Sequence, residues 1–206
     1  MKLNIANAYR VLERYLKGME ETEEYQERIK KIDPDVLFSN YDRSKRPKKK
    51  KSKFEHSKSV AIISAMLAQK WGAIVEYAII IGLLHDIGKT VDEEKMLTIC
   101  LNNNIPVYEF EFDENVIALH GKISALIFQK EFKGNNTARM KRISRGIESH
   151  VAGGVNMNLL EKIVFIADNI DGKEGGIKLL SDILSGKINN PDECIKIIIR
   201  TKNQEK

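Results

Sequence analysis

Apolar residues recur every three or four positions along nearly the whole chain, which is the spacing of one face of an α-helix. No internal repeat interrupts this pattern, and alternation typical of a strand is confined to Ile105–Phe112, which we expect to be an extended connection. The spacing therefore predicts an all-α protein. The predicted helical stretches begin at Ile5, His56, Glu76, Asp92, Asp113, Met140, Asn158 and Asn190.

Turn and capping residues predict where these helices begin and end. Gly72 can terminate the helix that starts near His56, and Gly88 can end the more uniformly apolar helix from Glu76 to Ile87. Asn158 and the pair Asn190 and Pro191 are typical of helix starts. Further boundaries are predicted at Asp33-Pro34, at Asn102 to Asn104, at Gly153-Gly154, and at Gly121, where two helices could meet at His120.

All four histidines of the chain lie on these apolar stripes. One histidine on an apolar face is more often a core residue with a single hydrogen bond than a metal ligand. Burial of four imidazoles without a function, however, would leave several polar groups in need of partners, at ~1–3 kcal/mol for each unsatisfied group. Coordination of a metal satisfies them together. The candidate ligands are His56, His85, Asp86, His120, His150 and Asp168.

The adjacent pair His85 and Asp86 restricts how such a site could be built. Consecutive helical residues diverge by about 100°, so both can face one metal cluster only if other helices surround it. The remaining ligands must then come from distant parts of the chain.

Charge is concentrated in one segment, from Arg43 to Lys53, which holds eight of the 34 Lys and Arg residues and none of the 29 acidic ones. The rest of the chain is therefore mildly acidic, although the net charge is +5. Such a run is typical of a solvated loop, and it could also contact nucleic acid or polyphosphate through its charge.

Cysteine usage and hydropathy predict a cytoplasmic protein. Cys100 and Cys194 have no metal-binding or redox spacing, which fits a reducing compartment. The first ten residues lack the apolar core of a secretion signal. The longest apolar run, Ala78 to Leu84, is too short to cross a bilayer, which needs about 20 residues.

Four local sequences resemble the HD-domain phosphohydrolases, and within them the YqeK subgroup. These are FEHSKSV from Phe54, GLLHDIGK from Gly82, ALHGKISA from Ala118, and NMNLLEKIVFIADNID from Asn156. The resemblance covers roughly Lys53 to Ser185. It implies a helical bundle around a di-metal site, with an HD domain at residues 53–206 and an N-terminal helical extension with the basic loop at residues 1–52.

The resemblance implies one metal held by His56, His85, Asp86 and Asp168, and a second held by His120 and His150 with Asp86 bridging. Six protein ligands leave coordination positions open, as a catalytic site requires. Two metal ions are implied, most often iron, while Mn, Ni and Zn suit the same nitrogen and oxygen ligands. Asp86 and Lys89 are the implied catalytic residues. Lys89 could stabilise phosphate charge, or it could simply be a cation favoured at a helix C-terminus.

The function implied by the resemblance is symmetrical cleavage of diadenosine tetraphosphate to two ADP, by a hydroxide that the metals generate from water. Three segments depart from the family pattern. Val151 and Ala152 replace threonine after the fourth histidine, Asp171 to Glu174 replaces a Glu-Pro-x-Arg segment, and Lys53 replaces an arginine.

Two alternatives remain open at this stage. One is an HD-type nucleotidase or phosphodiesterase acting on another nucleotide. The other is a nucleotide or RNA sensor with little turnover, which the basic segment would favour. The expected partner is a small nucleotide, with no membrane, while a homodimer is left open.

Overall fold

Helices supply all the regular structure in residues 1–17, 52–111, 113–153, 156–173 and 175–204, which are the residues that this computed structural model describes. The all-α class is confirmed. Three short 3₁₀ segments occur at Ile87–Thr90, Glu109–Glu111 and Asp113–Leu119. The nine α-helices within those ranges are α1 (Ile5–Lys17), α2 (Lys53–Trp71), α3 (Val75–Leu84), α4 (Glu93–Asn102), α5 (His120–Glu131), α6 (Thr137–Ser149), α7 (Leu159–Ile170), α8 (Gly176–Leu184) and α9 (Pro191–Gln204).

Several predicted helix boundaries are confirmed by local hydrogen bonding. Gly72 ends α2 in the left-handed conformation, with φ of 74°, which glycine adopts without a steric penalty. The Asn158 side chain accepts from the backbone of Glu161 at the start of α7, and Glu161 bonds back to Asn158. The predicted junction at His120 is also present, where a 3₁₀ segment meets α5.

The helix predicted from Glu76 to Ile87 ends earlier, at Leu84, so the prediction that His85 and Asp86 lie on a helix is wrong. Both residues lie in a turn before the Ile87–Thr90 segment. The segment after the turn is held against α5 at Gly88, whose backbone N–H donates to Ser124 Oγ at 2.8 Å. A Cβ on Gly88 would lie 2.2 Å from the His120 carbonyl oxygen, so this turn fits tightly against α5.

The core is built around α3, which is buried on nearly all sides. Its residues Ile80, Ile81 and Leu84 are completely buried and pack with side chains of α1, α2, α5 and α6. A second apolar cluster joins α2 to α7, α8 and α9. Because α2 belongs to both clusters, it holds the two halves of the bundle together. This arrangement brings the ends of α3, α5 and α6 close to one end of α2 and of α7.

Helix α1 belongs to the first cluster, since Val11 and Leu12 on it are completely buried. Helix α8 was not predicted from the sequence, although Leu180 and Ile183 on it enter the second cluster. The charged stretch from Glu20 to Lys31, whose sequence favours continuation of the first helix, lies outside the described residues. The same holds for the boundary predicted at Asp33-Pro34 and for nearly all of the basic segment. In the described part of the chain no helix has the length and apolar character that crossing a membrane requires.

Candidate metal centre

Five helix ends and turns bring the six predicted ligands together. His56 lies in the first turn of α2, and His85 and Asp86 lie in the turn after α3. His120 is the first residue of α5, His150 directly follows α6, and Asp168 lies in the last turn of α7. Helix ends leave room for side chains to converge from several directions. Because His85 and Asp86 lie in a turn, both side chains can face the same site, which two consecutive residues within a helix could not easily do.

The first group of donor atoms comprises His56, His85 and Asp168. His56 Nε2 lies 2.9 Å from Asp168 Oδ1 and 3.3 Å from His85 Nε2. His85 Nε2 lies 3.5 Å from the same Asp168 oxygen. Asp86 Oδ2 completes the group, at 3.8 Å from His56 Nε2 and 3.6 Å from His85 Nε2.

The second group comprises His120 and His150 with the other oxygen of Asp86. The Nε2 atoms of His120 and His150 are 3.1 Å apart. His85 lies between the two groups, because its donor atom is also within 4.8 Å of those of Asp86 and His150. Asp86 Oδ1 lies 3.2 Å from His120 Nε2 and 3.5 Å from His150 Nε2. Each oxygen of Asp86 therefore faces a different group, as a carboxylate that bridges two cations would.

The outer nitrogens of three histidines are held by backbone carbonyls three residues earlier. Nδ1 of His85 lies 2.8 Å from the Gly82 carbonyl oxygen. For His120 and His150 the corresponding distance is 2.6 Å, to Ile117 and Ile147. A carbonyl can only accept, so we assign the ring proton to Nδ1 in each case. The Nε2 lone pairs then point inward, as metal ligation requires.

His56 is held differently, by the buried carboxylate of Asp171. Its Nδ1 lies 2.8 Å from Asp171 Oδ2, and Ser59 Oγ donates to Asp171 Oδ1 at 2.5 Å. Sequence reasoning missed both Asp171 and Ser59 as parts of the site. The available signal was their spacing, because each follows a predicted ligand by three positions on the same helix face.

The electrostatics of the site favour ionised carboxylates beside the imidazoles. Burial opposes ionisation of Asp86, but the neighbouring histidines and Lys89 hold its pKa far below the usual range. The pKa of Asp168 is likewise lowered by His56 and His85 against the effect of burial. Burial lowers the pKa of His150. For His56 burial acts in the same direction, yet Asp168, Asp171 and Asp86 raise its pKa to about 9.

These residues fit a pair of metal ions on three grounds. All donors are nitrogen or oxygen atoms, which suit first-row transition metals. The distances between donors, 2.9 to 3.8 Å, are near the roughly 3.0–3.4 Å that separates ligands bonded to one ion at about 2.1 Å. Buried Asp86 Oδ1 makes no hydrogen bond of acceptable geometry among the described residues, and the facing lone pairs of His120 and His150 need a cation between them.

The first group is the more accessible of the two. The side chains of His56 and Asp168 are 23% and 25% exposed, whereas those of His120 and His150 are nearly buried. Lys89 lies at the same open side and donates to Asp86 Oδ2 at 2.7 Å. Lys53 Nζ donates to the Lys89 carbonyl oxygen at 2.8 Å. A ligand that reaches the metal centre from this side would therefore meet two lysines.

Residues 54–173, more than half of the chain, match the model of the HD domain family. The chain belongs to the HD-domain family. The all-helical bundle and the convergence of its histidines and aspartates agree with that membership. Membership in this family implies that the site binds divalent metal.

Among characterised proteins, the chain is similar to two bacterial proteins named symmetrical bis(5′-nucleosyl)-tetraphosphatase. The protein from Staphylococcus aureus is 30% identical over 139 residues, which cover 64% of this chain and 66% of that protein. The protein from Bacillus subtilis is 28% identical over 119 residues, which cover 58% of this chain and 61% of that protein. The similarity thus spans less than two thirds of the length of each relative.

A solved structure from Clostridium acetobutylicum, described as a predicted HD superfamily hydrolase involved in NAD metabolism, has a similar fold. The TM-score is 0.58 and the sequence identity is 30%, with 74% of this chain and 82% of that chain covered. This chain and the Clostridium acetobutylicum protein are therefore similar in the arrangement of their helices as well as in sequence.

Proposed function

We propose that this protein is a metal-dependent phosphohydrolase that cleaves diadenosine tetraphosphate symmetrically to two ADP. The single observation that carries the proposal is the division of six donor residues into two groups that share Asp86, one oxygen to each group. The named activity of the two bacterial relatives supports the choice of substrate. The proposed donors are all histidines and aspartates, and the proposal needs no covalent nucleophile from the chain.

Two bound metal ions would acidify a water molecule and neutralise the negative charge on the phosphate oxygens. The chain contributes by positioning. Backbone carbonyls and Asp171 orient the four imidazoles, so the donor atoms need little reorganisation when substrate binds. Metals held by His56, His85, Asp86 and Asp168 on one side, and by His120 and His150 on the other, would leave coordination positions open toward the exposed side.

Lys89 has two tasks in this proposal. Its ammonium group donates to Asp86 Oδ2 and so fixes the orientation of the shared carboxylate. Its side chain is also 32% exposed at the open side of the site, where it can stabilise charge on a phosphate group. The sequence resemblance suggested the second task alone.

The test is product identification with protein that has been purified anaerobically and loaded with metal. We expect ADP as the only nucleotide product of diadenosine tetraphosphate. The variants His85→Ala and Asp86→Ala should lower kcat by at least about a thousandfold, because each removes a ligand of the metal centre. Asp92→Ala is the matched control, since Asp92 is an exposed carboxylate whose partner among the described residues is the equally exposed Lys95.

Two results would contradict the proposal. One is absence of ADP release by metal-loaded wild type, and the other is activity of His85→Ala equal to wild type. A product mixture of AMP and ATP would indicate asymmetric cleavage. Turnover of other nucleotides in preference to this one would instead support the broader HD nucleotidase or phosphodiesterase activity.

A further inference from the structure

The backbone that orients His120 differs from the backbone that orients two of the other histidines. Carbonyl groups within the α-helices α3 and α6 accept from His85 and His150. The carbonyl group that accepts from His120 is that of Ile117, in the 3₁₀ segment Asp113–Leu119. Hydrogen bonds in 3₁₀ helices have poorer geometry than those in α-helices, and runs longer than three or four residues are uncommon. The orientation of His120 therefore depends on what holds this segment in place.

Apolar packing holds the 3₁₀ segment only in part. Leu119 is completely buried in a cluster with Met96 and Cys100 of α4, and Val116 packs against the same cluster. The side chain of Ile117, however, is 44% exposed. Apolar burial is also non-directional, so it fixes the direction of a backbone carbonyl less closely than a hydrogen bond does.

Directional contacts come from the buried ammonium group of Lys122. This residue lies on α5, two positions after His120, and its side chain is 7% exposed. Its Nζ atom donates to Glu111 Oε2 at 2.5 Å and to the carbonyl oxygen of Pro106 at 2.6 Å. The same atom lies 4.3 Å from the centroid of the Tyr108 ring. Lys122 thus holds three residues of the preceding segment against the start of α5.

Glu111 carries this contact into the segment that leads to His120. Its Oε2 atom also accepts from the backbone N–H of Tyr108 at 2.7 Å. Glu111 ends one 3₁₀ segment, and the next one, Asp113–Leu119, leads directly to His120. Glu111 and Lys122 are eleven positions apart. Their ion pair therefore closes a loop of chain that contains both His120 and the carbonyl group that orients it.

Stability alone does not account for a buried ion pair. Removal of two charges from water is costly, and apolar side chains of similar size often give the same or a greater free energy of unfolding. What the pair adds is geometry, because each hydrogen bond accepts only a narrow range of distances and angles. Beside His120, such geometry restricts a residue that must aim its Nε2 lone pair at the second group of donors.

We propose that Lys122 and Glu111 are positioning residues for His120. Their ion pair fixes the 3₁₀ segment whose Ile117 carbonyl orients the His120 ring. Neither side chain is a proposed ligand, so both act through His120. The proposal rests on the metal centre of the proposed function, but it does not depend on which substrate is cleaved. It implies that loss of the pair weakens the second metal position and leaves the first intact.

The main test variant combines Lys122→Met with Glu111→Leu. Either substitution alone would leave one buried charge without its partner, which is strongly destabilising. The double variant leaves no such charge, so we expect a thermal midpoint within about 4 °C of that of the wild type. A milder pair, Lys122→Met with Glu111→Gln, keeps an acceptor for the Tyr108 N–H and decides the question if the first variant fails to fold.

The matched control removes a different ion pair between ligand-bearing helices. Arg139 on α6 pairs with Glu76 on α3 at 2.6 Å, and both lie at the helix ends away from His150 and His85. The combination of Arg139→Met with Glu76→Gln should leave metal binding unchanged, because neither residue contacts the segment before His120.

Zinc binding to the full-length protein is the first measurement. We expect the affinity for one of two zinc ions to fall about tenfold or more in the main variant. Loss of a partner that orients a ligand typically costs 10- to 100-fold in metal affinity, by the general range for such contacts. The affinity for the other zinc ion should stay within about twofold of wild type.

Nuclear magnetic resonance of the zinc-loaded protein, labelled with ¹⁵N in its histidines, identifies the affected position. Zinc is a d¹⁰ ion without unpaired electrons, so the imidazole signals remain sharp. In the wild type His85, His120 and His150 should each show a hydrogen-bonded Nδ1–H signal. In the main variant the signal of His120 should weaken or disappear, while those of His85 and His150 remain.

Selective loss of the His120 signal and of one zinc ion, with both kept in the control, would support the proposal. Zinc affinities and a His120 signal equal to those of wild type in the folded double variant would overturn it. Equal weakening of all three signals would also overturn it, since general loss of packing would then be the cause. Failure of the wild type to release ADP would instead overturn the proposed substrate, while the zinc and histidine measurements would still decide the role of Lys122.

Discussion

At the scale of single residues, the four histidines differ in what holds their outer nitrogen. Three use a backbone carbonyl within the same turn of chain, and His56 uses the carboxylate of Asp171. A carboxylate partner makes an imidazole a stronger electron donor than a carbonyl does. The two metal positions are therefore chemically unequal, since only the first includes His56.

Replacement of Asp171 by Asn should weaken metal binding in the first group. The side chain keeps its size but loses the charge that supports His56, so we expect metal affinity to fall about 10- to 100-fold. Titration with a chelator should show one metal ion leaving at lower chelator concentration than in wild type. Ser59→Ala should act in the same direction but less strongly. Asp182→Asn is the control, because its carboxylate on α8 pairs with Lys178 and Lys187 and with none of the proposed ligands. Equal metal retention in all variants would contradict the role of Asp171.

The protonation of His56 predicts how the stability of metal-free protein depends on pH. Burial lowers its pKa, but Asp168, Asp171 and Asp86 raise it from 6.5 to about 9 in the folded state. The protonated form is thus favoured by folding. Its contribution is fully present below about pH 6.5 and is lost as the pH rises through 9, with a change of about 2 to 3 kcal/mol in the free energy of unfolding.

Urea unfolding of metal-free protein from pH 6 to pH 9.5 measures this change. His56→Gln should reduce the slope, while His85 keeps part of it, because Asp86 and Asp168 raise the pKa of His85 against the effect of burial. Metal-saturated protein should show the opposite trend, since the metal competes with the proton for Nε2 and binds better as the pH rises. A pH slope that is identical in wild type and His56→Gln would exclude His56 as its source.

At the scale of helices, close backbone contacts decide where the ligands lie. Gly82 on α3 packs directly on α2, and a Cβ at Gly82 would lie 2.5 Å from Ala61 Cα. The carbonyl of Gly82 also accepts the hydrogen bond from His85 Nδ1. The contact between α2 and α3 therefore fixes the separation of His56 and His85, which lie on or beside these two helices.

Gly82→Ala should force α2 and α3 apart, because the obstacle is backbone and cannot rotate away. We expect a loss of about 1–3 kcal/mol in stability and reduced metal affinity. Gly146→Ala on α6 is the matched control, since its added methyl would meet only the side chain of Ile81. Chemical denaturation and metal content of both variants measure the difference. If Gly146→Ala lost as much stability and metal as Gly82→Ala, backbone contact would not be the deciding factor.

At the scale of the whole molecule, α1 and the matched HD region share one core. The family match begins at residue 54, yet the buried side chains of α1 lie in the same apolar cluster as those of α3 and α6. The division into an N-terminal extension at residues 1–52 and an HD domain at residues 53–206 stays a prediction from the sequence. For folding, α1 is a structural part of the bundle.

Leu12→Ala should therefore destabilise the entire protein rather than only its N-terminal helix. Leu12 is completely buried, so loss of its side chain should cost about 2–5 kcal/mol. Thermal unfolding that is followed by circular dichroism should show one cooperative transition at a lower midpoint. Leu101→Ala, at a position 57% exposed on α4, is the control. An early, separate transition with the remaining helices unaffected would show that α1 folds independently.

The sequence by itself determined the helical class, most helix boundaries and the set of candidate ligands. Helical periodicity, caps such as Asn158 and glycines such as Gly72 act within a turn or two, so they can be read locally. The histidines stood out because four imidazoles on apolar stripes need partners. The family motifs then gave the ligands in their order along the chain. The structure brings the side chains of these residues close together.

Only the tertiary structure decided how close those ligands come to one another and what supports them. Asp171 meets His56 across 115 positions of sequence, and Gly88 packs directly against the backbone of α5. Ion pairs between separate segments, such as Arg145 with Glu161, are set in the same way. Such contacts depend on how helices pack, and packing is set by the whole core rather than by the residues next to each ligand.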